Sequence, residues 1–249
     1  MQMKKIKIPS ELVYVFAIVL LSFAVTMLTA ADFGISMIVA PAYLLSLKLN
    51  FLTFGQAEYV IQAGLFIILC IVLKRFKFIY LFSFATCLIY GAVLDLWRLI
   101  PFFNPTVTAP GSMDLWVRIV MFVAGVLLTS FAVALFFKTY IYPQVYDFFV
   151  KAVSLRYGKK LSIFKTAVDL TCLTASVVMT FCFFGELRGV NWGTLVMAVF
   201  NGAIIGFFSK LFDKVLDVQP LLNGFSSLFA LESKEDEKTE KINNEEKIA

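Results

Sequence analysis

The sequence predicts an all-α fold, a polytopic membrane helical bundle of six transmembrane helices. They form two inverted three-helix repeats, each with a Pro-broken re-entrant or interfacial segment. Three observations lead there. Of 249 residues, 60% are hydrophobic, 28 are Phe and only 16% are charged, against roughly 25% charged in a soluble protein. Apolar runs recur at close to the length, about 20 residues, that a helix needs to cross a bilayer. Pro41 and Pro143 interrupt apolar sequence at corresponding places in the two halves.

Taken in order, residues 1–11 place lysines before an apolar run at 12–31. A signal peptide is the rival reading, but its core would be about 7 to 15 residues long, so this run is span 1. The stretch 32–53 follows without a polar loop and contains Gly34, Ser36 and Pro41. Proline removes a backbone donor and clashes with the preceding turn. Broken backbone at bilayer depth survives only inside protein or beside a water-filled cavity. Span 2 covers 57–73 and span 3 covers 78–97, completing a first membrane repeat at 12–100. A Pro-rich linker, 101–114, separates the halves. Span 4 (115–137), a basic amphipathic segment around Pro143, span 5 (163–184) and span 6 (195–212) make a second repeat at 115–215. Residues 216–231 are too short to cross and read as an interfacial segment. The charged tail 232–249 reads as disordered.

The repeat rests on order: span, proline segment, span, then a span with Gly-Ala at Gly91-Ala92 and at Gly202-Ala203. Three spans per half force the second half to enter in the opposite sense, the organisation of many secondary transporters. Outside the tail, fourteen of eighteen basic residues fall on one side if both termini are cytoplasmic. This scattered charge is a topology signal and excludes a nucleic-acid footprint.

Histidine is absent, and the four cysteines show no metal-ligand spacing. No metal or cofactor is expected, and the missing G-x-S-x-G and H-E-x-x-H patterns argue against an enzyme.

Charged and polar groups inside spans are expensive and therefore mark candidate pathway positions. Glu58 and Gln62 share a helical face in span 2, and Lys165 and Asp169 do so in span 5. Asp95 reads either as a coupling carboxylate or as an interfacial partner of Arg98. Asp147 follows Pro143 closely and could cap its segment or line a vestibule. Asp32 reads as an N-cap, Lys165 alternatively as a snorkelling cation, and Gly202 with Gly206 as a close-packing face. Asn201 faces a cavity or bonds a neighbouring helix. Pro41, Tyr43, Pro143 and Tyr146 complete the candidate set.

Several of these stretches, Ala40-Pro41-Ala42-Tyr43, Ala57-Glu58-Tyr59 with Gln62, Tyr90-Gly91 with Asp95, Tyr142-Pro143 with Tyr146-Asp147, Phe164-Lys165-Thr166 with Asp169, and Asn201-Gly202 with Gly206, resemble the YczE/YyaS/YitT group of bacterial membrane proteins. The resemblance covers about residues 12–215 and is nearer the YczE side, since the soluble C-terminal domain of YitT-type members is missing. It implies the bacterial plasma membrane and repeated halves, and carries no substrate. The expected function is a secondary transporter or channel-like carrier of a small polar solute or ion. The competing reading is a non-transporting accessory protein that acts through a protein partner. The bilayer is the one partner read directly.

Overall fold

The structure is a computed structural model that describes residues 5–74, 76–158, 161–226 and 229. The charged tail 232–249 lies outside them. A strand β1 (Ile6–Pro9) leads into α1 (Ser10–Ala31), followed by α2 (Ala40–Lys48), α3 (Phe54–Leu73), α4 (Leu81–Arg98), α5 (Leu115–Phe136), α6 (Val145–Tyr157), α7 (Leu161–Phe184), α8 (Trp192–Val215) and strand β2 (Leu216–Gln219). Six of these helices are long and apolar enough to cross a membrane. An even number of spans returns the chain to the end where it began. That end, here the terminal end, is closed by β1 pairing in parallel with β2, Ile6 opposite Leu216 through Pro9 opposite Gln219. Sequence patterning did not disclose this ribbon, which occupies the start of the segment read as interfacial. Glu11 secures it, accepting the Tyr140 hydroxyl at 2.6 Å and the backbone N–H groups of Leu221 and Leu222 at 3.1–3.3 Å.

Helix boundaries follow from capping. The Thr53 hydroxyl accepts the Gln56 N–H at 3.1 Å while the Gln56 side chain accepts the Thr53 N–H at 3.0 Å, a capping box that starts α3 three residues earlier than hydropathy alone suggests. Asn191 and Thr194 form a second box that starts α8 at Trp192. Gly158 ends α6 in the left-handed region, at φ 62°. Pro41 does not break a helix: it sits in the first turn of α2, where its missing N–H costs nothing. Pro143 likewise precedes α6. Asp32 is not an N-cap but the residue that closes α1, at φ 55°, with its N–H on the Leu28 carbonyl.

Helices α1 and α5 form the central pair, packed closely at Gly125, where an added Cβ would lie 2.8 Å from the Leu28 side chain. In a bilayer such contacts, not hydrophobic exclusion, hold helices together. Helix α1 packs on α4 as α5 packs on α8, and α3 packs on α6 as α7 packs on α2. Two pairings have no counterpart among the described residues, the small contact of α4 with α6 and the extensive one of α3 with α4. Helices α3 and α4 run in contact through Gly55 and Gly91, whose backbones and the Tyr59 ring leave no room for a Cβ, whereas α7 and α8 do not pack as a pair among the described residues. The expected close-packing face of Gly202 and Gly206 is accordingly not used within the chain, since a Cβ on either would meet open space.

Candidate functional site

Both proline segments turn back inside the bundle. The first leaves α1 at the end opposite the ribbon, the distal end, where Ile35 donates to the Gly189 carbonyl at 3.3 Å and the Phe33 carbonyl accepts from Gly193 at 2.8 Å. Here Gly34, at φ 108°, passes so close to Thr194 that a Cβ would lie 2.8 Å from its backbone nitrogen. Residues 36–39 then reach the interior. Helix α2 brings the chain back to the distal end, where Lys48 Nζ donates to the Phe183 carbonyl at 3.0 Å. The second segment leaves α5 at the terminal end, where Tyr140 N–H meets Ser10 Oγ at 3.3 Å. It reaches mid-depth at residues 144–147 and returns along α6, the Tyr157 hydroxyl donating to the Val72 carbonyl at 2.9 Å.

The two turning points meet. A cavity of about 50 Å³ is lined by Ser36 and Val39 from the first segment, by Tyr146 and Asp147 from the second, and by Lys165 and Asn201 of α7 and α8. A neighbouring cavity of about 110 Å³ shares Ser36, Lys165 and Asn201 with it, adds Asp169, and extends between α7 and α8 past Met197 and Gly202. Lys165 Nζ stands 3.4 Å from Asp147 and 3.9 Å from Asp169, so the lysine does not snorkel away but lies between two carboxylates. Asn201 Oδ1 accepts the Ser130 hydroxyl at 2.7 Å, which fixes the amide at the wall. Ser36, Tyr90 and Thr129, which were not among the pathway candidates, also line this chamber. No charge or spacing marked them.

Behind the wall, Glu58 and Gln62 are fully buried. Gln62 Nε2 donates to Glu58 Oε2 at 3.0 Å and to Gln144 Oε1 at 2.9 Å, and its Oε1 accepts the Val145 N–H at 3.1 Å. This amide therefore fixes the first turn of α6 to the middle of α3. The Tyr90 hydroxyl is buried without a hydrogen-bond partner, and the buried Tyr146 hydroxyl faces the Glu58 carboxyl.

The remaining candidates lie elsewhere. Asp95 accepts the Thr53 hydroxyl at 2.5 Å and the Gly55 N–H at 2.9 Å, capping α3 from across the α3–α4 contact. It borders an open distal vestibule of about 350 Å³ with Arg98, Asn50 and Asn104. Its expected partner Arg98 instead lies over the Phe54 ring, 5.4 Å from the centroid. Tyr43 is buried against Phe54, with ring centroids 5.3 Å apart, and Pro41 is buried in the first turn of α2. Asp32, outside the spans, faces Arg118 at 3.9 Å. Burial raises its pKa, and the Arg118 and Arg188 charges partly oppose that rise. Among the described residues no group of acids and thiols could hold a metal ion.

These features define a polytopic α-helical membrane protein in which two segments, entering from opposite ends, enclose a polar chamber. Residues 8–210 match the model of DUF6198, a family of unknown function, and the chain belongs to that family. Comparison with curated proteins and with solved structures returned no match.

Proposed function

We propose that the protein is a secondary transporter or channel-like carrier of a small polar solute or ion, working by alternating access and not by catalysis. The observation that carries this reading is the chamber, where the turning points of both proline segments meet beside Lys165, Asp147 and Asp169. Uncompensated polar groups at bilayer depth are costly, and pathways for solutes are where membrane proteins retain them. The matched pairs, α1 on α4 with α5 on α8 and α3 on α6 with α7 on α2, support two inverted repeats. The larger of their mismatches supports a mechanism: α3 is closed on α4 while α7 stands apart from α8, and exchange of these arrangements would open the chamber to the other side. Basic residues concentrate in segments that join the spans at the terminal end, which supports cytoplasmic termini in a bacterial plasma membrane. That setting is also what the likeness to the YczE/YyaS/YitT group implies.

The test is the accessibility of Asn201→Cys, in a background freed of native cysteines and in sealed vesicles of known orientation. A carrier exposes this position to an impermeant thiol reagent from both faces, in proportions that change with an imposed proton or sodium gradient. Labelling from neither face, or from one face under every gradient, would leave an accessory role as the better reading.

A further inference from the structure

Lys165 is the only ammonium in the chamber among the described residues, and it faces two carboxylates. Its distances of 3.4 and 3.9 Å exceed the roughly 2.7–2.9 Å of a tight charge-assisted hydrogen bond. One negative charge is thus left without a matching cation in a setting where unmatched charge is expensive. The chamber also holds unused acceptors. The hydroxyls of Tyr90 and Thr129 belong to residues no more than 4% exposed that line the cavity, and neither has a hydrogen-bond partner. The rings of Tyr90 and Tyr146 add surfaces that attract a cation.

The way in is as informative as the charge. The 110 Å³ cavity runs from Lys165 and Asp169 between α7 and α8, where Met37, Met197 and Gly202 form an apolar flank. Both helices are largely uncovered by the rest of the chain, 11% and 17% of their apolar windows being buried, against 56% for α1. A bilayer therefore contacts the mouth of this gap directly. A cavity of that size has room for several waters, which is also the scale of a short organic ion with one charged end and one apolar end.

We propose that the chamber binds a short primary alkylammonium, entering between α7 and α8, with its nitrogen between Asp147 and Asp169 and its alkyl part against Met37 and Met197. The inference deepens the carrier reading and rests on the same chamber. Lys165 shares the two carboxylates with the ligand, each ammonium matching one charge, and its repulsion of the ligand's nitrogen weakens binding. The hydroxyls of Tyr90 and Thr129 accept the N–H groups that the carboxylates leave over.

The experiment is calorimetric titration of the full chain in lipid nanodiscs with butylammonium, butanol, butyrate and sodium. Butylammonium should bind saturably, and the other three at least about tenfold more weakly. Asp169→Asn should weaken butylammonium by about tenfold or more, and Lys165→Gln should strengthen it by a similar factor. Equal binding of butanol would overturn the proposal, as would preference for sodium. Binding of butyrate abolished by Lys165→Gln would make the lysine an anion site and overturn it too, as would no binding of any probe. The two readings fail separately. Butylammonium binding with Asn201→Cys labelled from one face refutes alternation alone, and two-faced labelling without butylammonium binding refutes the ligand class alone.

Discussion

Replacing Gln62 with leucine should destabilise the bundle strongly, because one fully buried amide serves three partners. Gln62 donates to Glu58 at 3.0 Å and Gln144 at 2.9 Å and accepts from Val145 at 3.1 Å, with no exposure to solvent. Leucine is similar in volume, so the loss is polar and not steric. Each buried group left unsatisfied costs about 1–3 kcal/mol, giving roughly 3–6 kcal/mol once partial relaxation is allowed for. At about 2–4 °C per kcal/mol for a chain of this size, Tm should fall on the order of 10 °C. Gln62→Glu keeps an acceptor for the Val145 N–H but sets a second carboxyl beside Glu58, so it should not rescue stability at neutral pH. The assay is thermal unfolding in detergent micelles together with amide hydrogen exchange at Val145, whose protection should drop first. A Tm within about 2 °C of the parent, with Val145 still protected, would show that Gln62 does not hold α6.

Asp95→Ala should lower stability by about 1–2 kcal/mol through loss of the α3 cap and leave butylammonium affinity unchanged, since Asp95 borders the distal vestibule and not the chamber. A large change in affinity measured by the same titration would return Asp95 to the pathway. Gly91→Ala drives a methyl into Tyr59 and the Gly55 backbone; an overpacked core site costs about 1–3 kcal/mol, read as lower Tm, and an unchanged Tm would mean that α3 and α4 are not in contact there. Glu11→Ala removes the acceptor shared by Tyr140, Leu221 and Leu222 and should make the segment after α8 cleavable by limited proteolysis while the spans stay intact. With Glu11 absent, the Tyr140 hydroxyl, whose pKa burial and that hydrogen bond push up to about 12, should titrate closer to the ordinary value near 10, as ultraviolet absorbance would show.

The spans were legible because a bilayer imposes a length: the run read as 115–137 is helix Leu115–Phe136, and the one read as 163–184 is Leu161–Phe184. Their starts were less so, since α3 and α8 begin at side-chain caps and not at a change of hydropathy. The Thr53–Gln56 box was visible in the sequence as a hydroxyl three residues before a glutamine. The ribbon was not, because four-residue strands such as Ile6–Pro9 and Leu216–Gln219 carry too little alternation to register and depend on a partner two hundred residues away. At the chamber, the i,i+4 spacing of Lys165 and Asp169 was readable. Asp147 joining them was not, because that contact depends on how deep the second segment turns. The role of Asp95 was hidden for the same reason: its cap spans two helices. Gly202 and Gly206 mislead because a G-x-x-x-G pattern states that close packing is possible and not that a partner is present.

The most direct test of two segments entering from opposite ends is sidedness of thiol labelling at exposed positions just beyond each turn. Phe51 follows the first segment and is 78% exposed, Val107 lies in the linker between the halves, Tyr157 ends α6, and Phe78 precedes α4. In single-cysteine versions labelled in sealed vesicles, positions 51 and 107 should react from one face, and positions 157 and 78 from the other. Reaction of 157 from the face that labels 107 would mean that the second segment crosses the membrane after α5, and the paired re-entrant architecture would not stand.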